Sequence, residues 1–431
     1  MKIIHIPIRC FLVLMALYLS QGTNAQKVLT LEEARTLAIT RNNNLKAADQ
    51  KIEAAKAQKA VADGIDKPSL NGSVSGWYFG NPLDKLLPEY GVAPALTVSE
   101  PIYAGGKIRL GKQAAEKGLE ITLDQKSLTI AEVLLATDIA YWQVVSAKEK
   151  IKLAEQYARQ LNALYQELNN AYTAGLIYKN DVLRVVVQQN ENEINLTRAR
   201  DALTLTTLNL AQITGLGDST AFGIADSVLG PFNRNPAVEP LNEIATNRPE
   251  LKILQKSVEA EQIQEKVLKS DFLPTISFSA TGLAGLGKQG INIGNPTSNS
   301  FSSYFGFVQL SIPLLDWGQR KNKIRQQQHI ISGQQYQLTE IKEKITLEVQ
   351  QAYLYLNESA KRVELSGASL EQANENLRLS NDRLKAGTIT GKDALEAQTL
   401  WQQAYNDIIE AKVAYRISEA RLRKALGQTN L

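Results

Sequence analysis

Two hydrophobic rhythms run through the chain. Between residues 140 and 172, apolar and small side chains return at spacings that alternate between four and three: Ala140, Val144, Ala147, Ile151, Ala154, Ala158, Leu161, Tyr165, Leu168 and Tyr172. A 3–4 spacing is the knobs-into-holes period of supercoiled helices. The same seam returns 212 positions later through Ala352, Leu356, Ser359, Val363, Ser366, Leu370, Ala373, Leu377, Ser380 and Leu384. An ordinary bundle core would share this rhythm, so length decides between the two. The helical pattern runs unbroken from about Lys107 to Tyr172 and from about Gln319 to Leu384. A helix of about 66 residues is about 100 Å long at 1.5 Å per residue. A compact domain has no use for such a length, whereas a wall or stalk does.

The second rhythm has period two. Extended segments are expected at about Ser69–Gly80, Ala93–Tyr103, Thr275–Leu286 and Ser302–Leu315, with alternation clearest in Ile276, Phe278 and Ala280 and in Val308, Leu310, Ile312 and Leu314. Their length suits transmembrane β-strands. They carry the aromatics Trp77, Tyr78, Phe79, Phe278, Phe301, Tyr304, Phe305 and Phe307, which such barrels place at the bilayer interfaces. Beyond the N-terminus no segment offers about 18 consecutive apolar residues, so no transmembrane helix is predicted. A membrane crossing would then have to be a closed β-barrel. Four strands cannot enclose a lumen, since about eight barely enclose side chains, so the strands would be pooled between protomers. The competing arrangement is two soluble hairpins capping a coiled-coil stalk.

The chain is written twice. At an offset of 212, Pro101 meets Pro313, Gly106 meets Gly318, Ala140-Tyr141 meets Ala352-Tyr353, Asp181 meets Asp393 and Gly215 meets Gly427. Upstream the offset is 206, pairing Leu45 with Leu251 and Pro68 with Pro274. The second copy therefore carries six extra residues between Pro274 and Pro313, in a stretch holding Gly290, Gly294 and Pro296, the composition of a loop insertion. The expected organisation is a first repeat over 26–215, a linker over 216–240 and a second repeat over 241–431. Each repeat holds a helix (about Leu31–Asp63 or Leu241–Asp271), a strand pair (about 69–103 or 275–315) and a long helical hairpin (about 107–214 or 319–426).

Composition narrows the function. The chain has 431 residues, 44% hydrophobic and 21% charged. Residues 1–25 read as a secretory signal, with charged Lys2 and Arg9, an apolar run from Cys10 to Leu19 and small residues before Gln26. Removing Lys2 and Arg9 with this leader takes the formal charge from +4 to +2, a balance that predicts no nucleic-acid partner. The one cysteine, Cys10, precedes the apolar run, so no lipid anchor and no disulfide are expected. His5 leaves with the leader, and His329 stands alone in a Gln-rich helix. No metal site, cofactor site or nucleophile–base set is legible, and the chain is read as a non-enzyme. Gly282 to Lys288 mimics a phosphate loop, but Gln289 stands where Ser or Thr is needed. Gly285-x-Gly287-x-x-Gly290 leads into a loop and strand rather than a helix.

The segments Pro101-Ile102-Tyr103-Ala104-Gly105-Gly106 and Pro313-Leu314-Leu315-Asp316-Trp317-Gly318 follow the strand pairs. The turns Ala174-Gly175-Leu176 with Asp181 and Ala386-Gly387-Thr388 with Asp393 close the helical hairpins. In these motifs, in the duplication and in the order helix–strand–strand–helix–helix, the chain resembles the TolC family of outer-membrane factors. The resemblance implies a channel-tunnel: a homotrimer with a 12-stranded barrel, four strands per chain, and a 12-helix periplasmic α-barrel, with a small equatorial belt built from the linker and the termini. It implies an outer-membrane exit duct for efflux or type I secretion, partnered by a periplasmic adaptor (membrane-fusion protein) and an inner-membrane pump of the RND, ABC or MFS type. A periplasmic coiled-coil scaffold without a pore is the alternative.

The resemblance also implies roles for residues. Ala174, Gly175, Leu176, Ala386, Gly387 and Thr388 would form the adaptor-contacting tip, although a glycine there is equally expected as a helix C-cap. Asp393 and Glu396 would ring the periplasmic constriction, with Asp181 and Arg184 giving a mixed ring in copy one. Mutual repulsion would raise carboxyl pKa values in such a ring, while an acid in a first helical turn also simply suits the helix dipole. Some relatives close the tip with Tyr and Arg just before this Asp, where this chain has Leu384 and Ile389. Gln156, Gln160, Asn169, Gln188, Gln189 and Asn192 are candidate polar tunnel lining or else a solvated outer face.

Overall fold

The computed structural model describes residues 27–83, 89–217, 222–228, 248–287 and 300–428. The leader with Cys10, the insertion around Gly290, Gly294 and Pro296, the first residues of the helix expected from Leu241, and most of 216–240 lie outside these residues. In chain order the elements are β1 (Lys27–Leu29), α1 (Leu31–Arg41), α2 (Asn43–Gly64), β2 (Ser69–Tyr78), β3 (Tyr90–Ala104), α3 (Lys107–Thr173), α4 (Lys179–Thr214), β4 (Phe222–Ile224), α5 (Pro249–Ser270), β5 (Thr275–Gly287), β6 (Ser300–Ser311), α6 (Gln319–Lys385) and α7 (Gly391–Ala425). Contacts divide them into two compact units, one drawn from 1–45, 130–239 and 348–431, the other from 46–129 and 240–347.

Helices α3 and α6 each run 67 residues, about 100 Å. Neither contains a proline. In the first unit, side-chain contacts set the helices in the order α4, α3, α7, α6. Asn192 Nδ2 donates to the Ala154 carbonyl at 3.0 Å, the Tyr157 and Thr399 hydroxyls meet at 3.2 Å, and Trp401 Nε1 donates to Asn374 Oδ1 at 2.7 Å. An inner helix of such a row has two neighbours and must bury two stripes. Accordingly α3 buries six of the ten positions of its expected seam (Ala140, Val144, Ala147, Ala154, Leu161, Leu168), leaves Tyr172 exposed at its end, and buries a second seam through Tyr141, Val145, Glu149, Leu153 and Tyr157. The outer helix α6 buries Ala352, Leu356, Ser359, Val363 and Leu377 along one seam and leaves Leu354, Tyr355, Leu365 and Leu379 exposed. Each fully buried Leu or Val on these seams contributes about 1.5–3 kcal/mol.

One 18-residue window of α3 is apolar enough, by length and composition alone, to cross a bilayer, but half of it is buried inside the protein. It is a core segment.

The same unit holds a small parallel ladder, Lys27↔Phe222, Val28↔Gly223 and Leu29↔Ile224. Beside it, Arg35 grips Asp138 with two nitrogens at 2.7 and 2.6 Å, and Arg423 adds a third contact at 3.1 Å. The Tyr141 hydroxyl donates to Asp226 at 2.5 Å, and burial pushes its pKa upward. The first helix of copy one differs from the expected single span. Asn42 breaks it with φ −60° and ψ 131°. Its amide donates to the Ile213 carbonyl at 2.8 Å while its Oδ1 accepts from Asn44 N at 2.8 Å, so a side chain has displaced the helical backbone partner.

In the second unit, charged pairs tie the helices together: Asp66 to Lys112 at 2.7 Å, Asp49 to Lys126 at 2.5 Å, Lys117 to Glu259 at 2.9 Å and Asp124 to Lys256 at 2.8 Å. Its sheet is antiparallel in the order β2-β3-β5-β6. Strand β6 stops at Ser311, four residues short of expectation. Asp316 then caps α6, accepting from Gly318 N at 3.1 Å and Arg320 N at 2.8 Å, and Trp317 takes a positive φ of 53° where copy one has Gly105.

Candidate functional site in the two-faced sheet and the hairpin tips

The sheet's chemistry follows from strand parity and cross-strand register. Leu70, Val74 and Tyr78 of β2 share a face with Tyr90, Val92, Pro94, Leu96 and Val98 of β3. Ile276, Phe278, Ala280 and Leu286 of β5 continue that face, followed by Leu310, Val308 and Tyr304 of β6. The opposite face carries Ser69, Asn71, Ser73, Ser75, Thr97, Ser99, Ser277, Ser279, Thr281, Ser303 and Gln309. Hydroxyls pair across this polar face, Ser69 with Ser99 and Thr97 with Thr281, each at 3.0 Å. The apolar face is far from hidden: Leu70 is 67% exposed, Val74 72% and Tyr304 89%. In β3 the apolar positions are the exposed ones and the polar positions are half-buried. A sheet in water does the reverse; apolar-out and polar-in is the pattern of a barrel in lipid. Glu100 is the only Asp, Glu, Lys or Arg in these four strands.

Parity also corrects the interfacial assignment of the aromatics. Tyr78, Phe278 and Tyr304 lie on the apolar face, but Trp77, Phe305 and Phe307 lie on the polar one. Neighbours such as Trp77 and Tyr78 cannot share a face when side chains alternate.

The hairpin turns are built alike. In copy one, Leu176 N donates to the Ala171 carbonyl and Gly175 N to that of Tyr172, both at 2.9 Å. In copy two, Thr388 N reaches Arg383 at 3.0 Å and Gly387 N reaches Leu384 at 2.9 Å. These are Schellman caps, and they set Gly175 at φ 72° and Gly387 at φ 67°. Ala174, Gly175, Leu176, Ala386, Gly387 and Thr388 are all exposed. One apolar cluster joins the two turns: Leu168, Ile177 and Val182 pack with Leu384, Ile389 and Ala394. Leu384 and Ile389 therefore fill the tip's core.

The acidic candidates stand differently. Asp393 forms a capping box with Thr390, accepting from Thr390 N at 2.9 Å and from its hydroxyl at 2.8 Å, while Asp393 N donates back to Thr390 Oγ1 at 3.3 Å. The backbone bond from Thr390, then its hydroxyl, hold the Asp393 carboxyl below the usual range in the single chain. Glu396 is exposed one turn further on, and Asp181 is half-buried in the first turn of α4. Copy one has no such box, because Tyr178 occupies the N-cap without a side-chain bond. Among the polar candidates, Asn192 is buried against Ala154 and cannot line a lumen; Gln189 donates to Asn162 at 2.7 Å.

Sequence reasoning missed Gly391. A Cβ there would lie 2.7 Å from Leu168 Cδ1, so α7 begins in direct contact with α3. Copy one has Lys179 at the matching position. The box itself was legible as Thr390-x-x-Asp393.

The family described as outer membrane efflux protein matches residues 34–216 and 241–428. The chain belongs to the outer membrane efflux protein family. Its similarities run across the outer-membrane channels. It is 23% identical over 306 residues to the alkaline protease secretion protein AprF of Pseudomonas aeruginosa, covering 69% of this chain and 61% of that one. It is 22% identical to the outer membrane protein TolC of Escherichia coli over 80% of this chain and 75% of that one. To the cation efflux system protein CusC of Escherichia coli it is 20% identical, over 90% and 84% respectively. The fold is that of the Campylobacter jejuni CmeC outer membrane channel, with a TM-score of 0.78 at 18% identity over 92% of this chain and 85% of that one. This outer membrane efflux protein is thus an outer-membrane exit duct of the channel-tunnel fold, with its helical tunnel in the periplasm.

Proposed function

We propose that this protein closes as a homotrimer and conducts solutes passively, without covalent chemistry, as the last stage of a tripartite efflux or type I secretion assembly. The observation that carries the reading is the inner strand β3, whose apolar positions are its exposed ones, in a sheet whose outer strands, β2 and β6, pair on one side only among the described residues. Open edges and bare backbone groups are not tolerated in lipid. Three chains would supply twelve strands, enough for a wall around a lumen. The exposed faces of α4 and α6 supply the matching flanks for a closed ring of helices. An adaptor would meet Ala174, Gly175, Leu176, Ala386, Gly387 and Thr388, and an inner-membrane pump of the RND, ABC or MFS type would drive transport.

In this reading Asp393, Glu396 and Asp181 form the periplasmic constriction. The capping box keeps Asp393 ionised at neutral pH, which a cation-attracting ring requires. Asp393→Asn separates the two roles, since an amide oxygen can still cap while the charge is gone. In planar-bilayer recordings, hexaamminecobalt(III) should block wild type strongly and the Asp393→Asn/Glu396→Gln variant at least tenfold more weakly; unchanged block removes these acids from the gate. A full chain that purifies as a water-soluble monomer overturns the channel as a whole.

A further inference from the structure

The polar face of the sheet has one feature that passive conduction does not require. Phe305 and Phe307 stand on it side by side, stacked with centroids 6.5 Å apart and planes 12° from parallel. They remain 48% and 49% exposed. Phe305 lies across from Thr281 and Phe307 across from Ser279, with Gln309 next along the same face. The hydroxyl of Thr281 is already bonded to that of Thr97 at 3.0 Å. No charged side chain lies on this face in the four strands. A water-filled lumen discourages half-exposed phenyl rings, because apolar area in water costs about 25 cal/mol per Å². Neutral hydroxyls bind solutes weakly and unselectively. Among the described side chains, they are the only rings on this face of β5 and β6.

We propose that Phe305 and Phe307 form an aromatic shelf in the barrel lumen that transiently binds passing solutes bearing flat aromatic or other apolar groups. The inference rests on the barrel reading, which makes the polar face luminal. Recognition is by ring stacking and edge contacts, with an added attraction for organic cations over the ring faces. Charge alone plays no part, so small hydrated ions pass unaffected. The site holds a solute for a moment on its way out without sealing the passage.

The test uses full-length wild type and the Phe305→Ser/Phe307→Ser variant in single-channel bilayer recordings, with tetraphenylphosphonium or tetraethylammonium added on the barrel side. Wild type should show discrete current interruptions with tetraphenylphosphonium, and the variant's should be roughly tenfold shorter, the loss expected from two ring contacts. Tetraethylammonium should give none in either protein. Equal interruptions in wild type and variant, or equal effects of the two cations, overturn the shelf while leaving the channel intact. Loss of the variant's trimer on unboiled gels also overturns it, because the rings would then be packing against a neighbouring chain. A wild-type protein that gives no channel overturns the barrel reading, and the shelf with it.

Discussion

Two adjacent residues of β3 provide a sharp test of which face meets lipid. Leu96 lies mid-strand on the apolar face, with Gly72 across one strand pair and Gly282 across the other. No directly opposed side chain could pair with or shelter a charge placed there. Ala95, one residue earlier, points to the other face between Ser73 and Leu283. If the apolar face is in the bilayer, Leu96→Arg puts a guanidinium into lipid at about mid-depth. The expected cost is about 2–4 kcal/mol in each chain, a fall of about 30- to 900-fold in the folded-to-unfolded ratio at about 1.36 kcal/mol per decade. Ala95→Arg puts the same group into an aqueous lumen, at a cost of about 0–1 kcal/mol. The assay is refolding of the full chain from urea into phosphatidylcholine vesicles, scored by mobility on unboiled gels. Leu96→Arg should require markedly less urea to unfold, and Ala95→Arg should follow wild type. Equal losses, or a greater loss from Ala95→Arg, would mean that the faces are assigned the wrong way round.

Other consequences can be checked on the same preparation. Gly391→Val forces side-chain atoms onto Leu168 and should lower thermal stability by roughly 1–3 kcal/mol, with Leu168→Ala in the same chain restoring most of the loss. Asp138→Asn leaves the half-buried Arg35 without the buried carboxylate it grips and should cost about 3 kcal/mol; the Arg35→Leu/Asp138→Leu pair should lose less. The Asp393 carboxyl is held below its ordinary range, so its cap is present above about pH 4 and is lost only as pH falls through the lowered value. Amide exchange in the first turn of α7 should therefore stay slow until the solution is more acid than that, and Asp393→Ala should remove the protection at every pH.

The long elements were legible because their signals are periodic and uninterrupted. The expected start of α3 at Lys107 is the observed one, and its end moved by a single residue, from Tyr172 to Thr173. The strands were found to within a few residues, apart from the end of β6, where Ile312 and Leu314 carry the alternation past Ser311 into a loop. What stayed hidden depended on partners distant in sequence. The break at Asn42 needs the carbonyl of Ile213. The second seam of α3 needs α7 beside it, and a rhythm read from one helix cannot say how many neighbours that helix has. At the site, the turns and the capping box could be read locally, whereas the contact of Gly391 with Leu168 could not. The facing of Trp77, Phe305 and Phe307 was within reach of parity alone, because their register follows from Leu70, Leu96 and Val308 on the opposite face.

The two compact units share an incompleteness that bears on assembly. In the helical one, α3 and α7 are buried on both flanks, while α4 leaves Leu183, Val187 and Ile194 exposed and α6 leaves Leu354, Tyr355 and Leu365 exposed. In the other, among the described residues, β3 and β5 are paired on both sides, while β2 and β6 are paired on one. Each unit is thus a segment of a wall with two raw margins, one helical and one stranded. Margins of this kind are unstable for different reasons. Helical flanks leave apolar area in water at about 25 cal/mol per Å², and strand edges leave backbone donors and acceptors that lipid cannot satisfy. In the proposed homotrimer each unit would close on its own copies, the margin of one chain meeting the opposite margin of the next. Association should therefore be cooperative with membrane insertion. Substitutions that polarise the α4 flank, such as Leu183→Asp with Val187→Asp, should reduce the yield of inserted barrel although no strand has been touched. Normal insertion of that variant, read on unboiled gels, would show that the sheet closes without help from the helices.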